Sequence, residues 1–436
     1  SDGTPLTAED SVFAYKILRG SASTPQLALQ SDLTFDYVAL DQYTTKAYLA
    51  PLRDDPNYLM TVWTPLPRHL FAENATAQDV STRLERQPLG YGLYTLEAWN
   101  RGAQIDFIRS STALDPNVPE RLGVRLYPNL AELRDDVVSG RVDVGWSDEL
   151  PDNLMSEMQA SVQAQALAVW LTATPIWEHI DMNLSVASLQ DIRVRHAIAH
   201  GFNRAALAKR LYGDEKIVWD SWIAPTSWAA SNAVTTYKYD LAKAKSLLDE
   251  AGFVDKNNDG MRETPDGSPF ELSLVTSEQT TIRQAIAEQF IDDMHTLGMT
   301  VTLDLLPTQE LYSQQGPLFQ RNFQLALFGW LRQVEPGGAV LWSCSAIPNQ
   351  INNYTGDNFT GWCMDTADAA IRTATTSLDM DERKQAYATH QTLFTQELPV
   401  LPIMARQTTT IARPTIKGIR PDTFAPLTWN LSRWQR

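Results

Sequence analysis

Residues 282–297 place Ile282, Ala285, Ile286, Gln289–Phe290, Met294 and Leu297 along one helical face, Gly298 ends the helix, and Met299 to Leu305 alternates as a strand. A helix that runs through a single glycine into a strand must lay its apolar stripe on a sheet, which restricts the chain to mixed architectures. The step recurs: Asn129 caps a helix over 130–139, Gly140 stops it, and Arg141 to Gly145 follows as a strand. Further helices are predicted from Thr7 (stripe Val12, Phe13, Ile17), from Asp191 to about His200, and from Asn203 to Tyr212, stopped by Gly213. Asp240 caps Leu241–Ala251, and two late helices cover about 366–377 and 381–396. Strands are predicted at Thr45 to Ala50, Phe270 to Val275 and Phe323 to Phe328. No Pro/Gly/Ser linker separates independent domains. The fold class read from this pattern is α/β with α+β character, its lobes joined by crossing strands.

With 436 residues, 43% of them hydrophobic and 20% charged, the chain supports two or three domains with real cores. A formal net charge of -16 repels phosphate backbones and makes nucleic acid a poor partner. No apolar run approaches the roughly 18 residues a membrane helix needs. The sequence opens on the turn Ser1-Asp2-Gly3-Thr4-Pro5, so a targeting or lipid-anchoring segment is expected upstream, if anywhere. Cys344 and Cys363 flank a loop rich in Asn, Gly and Pro and are expected to form a disulfide in an oxidising compartment.

Several segments together resemble one family. Residues 1–12, from Ser1 through Asp2-Gly3-Thr4-Pro5-Leu6-Thr7-Ala8-Glu9-Asp10 to Val12, resemble the "DGTPLTAEDV" segment of the family 5 extracellular solute-binding proteins of oligopeptide, dipeptide and nickel importers. In the family's order follow Pro67-Arg68-His69-Leu70 ("PKHL"), the Pro88 to Tyr94 turn with Leu93 in place of a proline, and Asp191-Ile192-Arg193-Val194-Arg195. Phe202-Asn203-Arg204, Tyr239-Asp240-Leu241-Ala242-Lys243-Ala244 and Glu397-Leu398-Pro399 complete the set, which spans nearly the whole chain. The resemblance implies a two-lobed periplasmic-binding-protein-like clamp with two hinge crossings, near His179–Asn183 and Pro399–Ile403, and an extra subdomain on lobe I. It divides the chain into 1–88 (remainder of that subdomain), 89–180 (lobe I core), 181–398 (lobe II) and 399–436 (return to lobe I). It also implies further residues upstream of Ser1.

The resemblance locates a solute site as well. Phe328-Gly329-Trp330-Leu331-Arg332-Gln333-Val334-Glu335-Pro336 is similar to a family segment in which an Asp pairs with the free amino group of a peptide. Here that position is Gln333, which accepts a hydrogen bond but cannot neutralise a charge. Either Glu335 takes over the role or the solute has no free ammonium. Trp330 offers a flat apolar wall, Arg332 a partner for carboxylate or phosphate, and Trp342 and Trp362 further aromatic surface.

Other constellations are weaker. Asp255, Asn257, Asp259, Met261, Glu263 and Asp266 fit a calcium-loop template with Gly260 at its sixth position, a candidate structural calcium site, although Asp stands where Glu is usual and a strand follows. His196 and His200 are four apart on one helix, but Ala197 replaces the Glu of a zinc-hydrolase motif, so they read as packing histidines. Trp177-Glu178-His179 with Asp181 holds acid and base groups where a hinge strand is expected. No nucleophile elbow, P-loop or dinucleotide fingerprint is present. The expectation is a non-enzymatic, monomeric, extracytoplasmic binding protein without a required cofactor. It would deliver a peptide-like solute to an ABC permease. A binder of an oligosaccharide or metal chelate is the alternative, and a carbohydrate hydrolase, suggested by 13 Trp and the carboxylates, a second.

Overall fold

The computed structural model describes residues 2–19, 25–49, 56–111, 113, 115, 117–148, 162, 166–278 and 281–435. Ser1 and Ala50, each part of a segment singled out above, lie outside these described residues. The chain divides into two compact units. The first comprises residues 1–143, 413–420 and 426–436, the second 144–412 and 421–425.

In the first unit, Thr7 N donates to Asp10 Oδ2 at 2.8 Å and starts the helix Ala8–Leu18. Its buried face, Val12, Ala14 and Tyr15, packs on Tyr37 and Trp63. Tyr37 belongs to β1 (Thr34–Ala39), paired antiparallel with β2 (Thr45–Leu49). β3 (Tyr94–Asn100), β4 (Gln104–Arg109) and β5 (Arg121–Arg125) form an antiparallel sheet in that order. Asn129 caps the helix Leu130–Val138 by accepting from Glu132 N at 2.9 Å. The strand expected at Arg141 to Gly145 begins later, because Arg141 is turned back onto Asp136 (Nε to Oδ1 2.7 Å) and Asp143 pairs with Arg413.

The second unit is built on one six-stranded sheet, ordered β6-β11-β7-β10-β8-β9. Its strands are β6 (Val144–Ser147), β7 (Ala168–Met182), β8 (Glu271–Ser277), β9 (Thr300–Leu306), β10 (Leu325–Leu331) and β11 (Val400–Ala412). β8 is parallel to both β9 and β10, and the remaining pairings are antiparallel. The helix Thr281–Thr296 is the crossover from β8 to β9, and Gly298 takes φ +86° where it ends, a conformation that favours glycine. Ile180, Met182, Leu325, Leu327 and Leu401 cover one face of the sheet centre and pack against the helices Ile192–Gly201 and Thr281–Thr296. The other face carries Trp177, Val400 and Ala405 under the helices Asp365–Thr376 and Met380–Glu397, and Phe328 in a separate cluster with Leu311, Leu318 and Phe359.

Candidate functional site

β7 and β10 run antiparallel with Phe328 opposite His179, Gly329 opposite Glu178 and Trp330 opposite Trp177. Directly opposed residues share a face, so the two-residue period sorts these side chains into two environments. Glu178 is fully buried and accepts from Arg283 Nε at 3.0 Å and from Arg406 Nε at 2.5 Å. Gly329 makes room for this cluster, since a Cβ there would stand 3.0 Å from Glu178 Oε1 and 2.9 Å from Ile176 Cγ2.

On the other face, aromatic rings form a column. His179 lies 4.3 Å from the Trp177 ring, Trp177 stacks on Trp219 at 6.2 Å, and Arg332 Cζ sits 5.0 Å over Trp219. The Phe424 ring also lies against the guanidinium, at 5.1 Å. Asp422 Oδ1 accepts from the Phe424 and Ala425 amides and fixes that turn.

Beside the column lies a cavity of about 280 Å³, walled by Trp177, Trp222, Trp228, Trp330, Leu341 and Phe424. Its polar lining comes from Thr226, Ser227, Arg332 and Gln333. Apolar rings with a few convergent polar groups are the usual make-up of a small-molecule pocket.

The structure brings Trp330, Arg332 and Gln333 together on this wall. Glu335 is drawn aside, because the guanidinium Nη2 of Arg383 and the Tyr387 hydroxyl both donate to its Oε1. Trp342 and Trp362 are core residues: Trp342 packs on Trp222 and Phe394, and Trp362 on His390 and Phe394. Cys344 and Cys363 are joined by a disulfide, with Cα atoms 4.8 Å apart. Trp177, Trp222, Trp228 and Phe424 were not singled out as ligand contacts; Trp222 and Trp228 stand close together after Trp219, but Trp177 and Phe424 are distant in sequence and only the tertiary fold collects all four.

In the loop opened by Asp255, the oxygens are directed at the loop's own backbone. Asp255 accepts from the amides of Asn258, Asp259 and Gly260, Asp259 from Met261 and Glu263 from Lys256. Asn257 Oδ1 accepts from the Asp259 amide, and Asp266 Oδ1 from the Ser268 amide. Lys256 Nζ reaches the Thr264 carbonyl at 3.0 Å. Among the described residues, no group of three or more His, Cys, Asp or Glu is arranged to hold a metal ion. His196 bonds the Gln396 carbonyl and His200 the Lys238 carbonyl, both at 2.8 Å.

His179 and Asp181, both on β7, are buried with Nε2 and Oδ1 3.4 Å apart. Burial pushes the imidazole down to about 3, so the ring is held uncharged at neutral pH, and it pushes the carboxyl well above its usual range.

The family described as "Bacterial extracellular solute-binding proteins, family 5 Middle" matches residues 1–350. This chain belongs to that family. Among family 5 relatives, the "Probable ABC transporter periplasmic-binding protein SapA" of Escherichia coli K12 is 26% identical over 397 residues, 87% of this chain and 66% of the relative. The "Di/tripeptide-binding protein 2" of Pseudomonas aeruginosa UCBPP-PA14 is 24% identical over 343 residues, 76% of this chain and 59% of the relative. The chain therefore spans a little under two thirds of the length of these relatives. Among solved structures, NikA from Brucella suis with Fe(III)-EDTA superposes with a TM-score of 0.81 at 20% identity, covering 100% of this chain and 85% of that one. AppA from Bacillus subtilis with a nonapeptide gives 0.69 at 19% identity, covering 99% and 84%. The fold is thus the mixed helix-and-strand fold of the family 5 binding proteins.

Proposed function

We propose that this chain is the solute-capturing component of an ABC importer. It holds a peptide-like solute outside the cytoplasm, hands it to a membrane permease and performs no chemistry on it. Family membership over residues 1–350 supports the class, and relatives named for peptide transport and di/tripeptide binding support the solute. Among the described residues no helix is long and apolar enough to cross a membrane, consistent with a separate permease partner. The observation that carries the reading is the tryptophan-walled cavity at the end of β10, beside Trp177 of β7.

The test is to denature gently purified protein and identify what it releases by mass spectrometry. A ladder of short peptides is the expected result. A protein that releases nothing and binds no member of a short-peptide library overturns it. A second reading, a metal chelate, is favoured by the neutral Gln333 on the cavity wall and by the likeness to a protein solved with Fe(III)-EDTA. Release of a metal complex selects it.

A further inference from the structure

Among the described residues, the cavity wall carries one cation, Arg332, and no acidic partner for it. Arg332 Nη2 donates to the Thr174 carbonyl at 3.3 Å, Nε is buried without a hydrogen bond, and Nη1 bonds no described residue. Among the described residues no carboxylate stands within ion-pair reach of it, and desolvation alone lowers its pKa. Elsewhere in the same unit buried arginines are matched: Arg195 with Glu397, Arg204 with Asp220, Arg283 with Glu178, Arg383 with Glu335. Arg321 lacks a carboxylate but has three oxygen acceptors at 3.0 to 3.3 Å. A guanidinium held against two rings and left short of acceptors is pre-organised for an anion from outside, and its planar fork suits a carboxylate. An ammonium finds the reverse. Gln333 is neutral, and Glu335 is already ion-paired with Arg383 and accepts a hydrogen bond from the Tyr387 hydroxyl.

We propose that Arg332 binds a carboxylate of the solute, that the apolar group beside it lodges among Trp177, Trp222 and Trp330, and that no ammonium is held at this end. This rests on the cavity being the solute site. A peptide's carboxyl terminus and the carboxylates of a metal chelate present the same chemistry, and the test separates them.

The full chain is titrated by calorimetry with Ala-Xaa dipeptides in four forms: free, N-acetylated, C-amidated and doubly blocked. Fe(III)-EDTA and a nickel–histidine complex form a second arm. Acids are expected to bind about tenfold or more tighter than their amides, with acetylation changing affinity by less than about threefold. Arg332→Gln should erase the acid preference and Arg332→Lys retain part of it. If only the chelates bind, and Arg332→Gln weakens them about tenfold, the carboxylates belong to a chelate. Amides that bind as well as acids, or an acid preference surviving in Arg332→Gln, overturn the assignment of Arg332 while leaving solute capture standing. Affinity unchanged in Trp330→Ala removes the cavity itself as the site. Failure of every probe at millimolar concentration overturns both.

Discussion

Behind Gly329, on one face of the sheet, Arg283 and Arg406 both donate to the buried carboxylate of Glu178. Just past the end of the same strand, on the opposite face, Arg332 is held by one carbonyl and two rings. The first arrangement is closed: two guanidinium groups share one carboxylate inside the protein. The second is open, and its counter-charge is supplied from outside. Burying a charge is tolerable only when it is paired, so a structural arginine and a ligand-binding arginine are told apart by what is missing around them.

The largest expected effect breaks the closed arrangement. Glu178→Gln leaves two guanidinium groups without their carboxylate and should lower unfolding free energy by about 3–5 kcal/mol in urea titrations. A loss under about 1 kcal/mol would mean that water reaches the cluster and that it is not closed.

The intermediate effect concerns a histidine buried without charge. His179 has its folded pKa near 3 against an ordinary 6.5, so below 6.5 the unfolded chain takes up a proton that the folded chain refuses. Stability from this group is present above pH 6.5 and is lost as pH falls toward 3. His179→Phe should remove one proton from the slope over that window, about 1.4 kcal/mol per pH unit. An unchanged slope would show that the ring is charged in the folded protein. Asp181, raised by burial, acts with the opposite sign and loses its contribution as pH rises above 3.8.

The smallest effect is at the open site. Arg332→Gln, free of solute, should change stability by less than about 1 kcal/mol, because no internal ion pair is lost. A loss as large as that of Glu178→Gln would place Arg332 among the structural arginines and remove the contrast.

Local signals were legible where caps and glycines punctuate the chain. The helix read at Ile282 to Leu297 is Thr281–Thr296, and Asp240 does accept from Lys243 N at 2.9 Å. β7 was the harder element. Only its end near His179 was anticipated, because a strand covered on both faces reads as a near-continuous apolar run, and Pro175 interrupts its pattern. At the cavity, Trp330, Arg332 and Gln333 were accessible because they are contiguous. Trp342 and Trp362 read like Trp222 in sequence, and nothing local says which ring faces a cavity and which a helix. The fate of Glu335 was equally hidden, since Arg383 lies 48 residues away.

β11 lies between β6 and β7, and Arg406 meets Glu178 across 228 residues of chain. Nearly all the sequence must be synthesised before the sheet can close, and contacts of such separation are slow to form. Until then the tryptophans of β7 and β10 have no finished wall to belong to. A chain of this topology stays unfinished for most of its synthesis, and its half-built sheet keeps open edges until the last strand arrives.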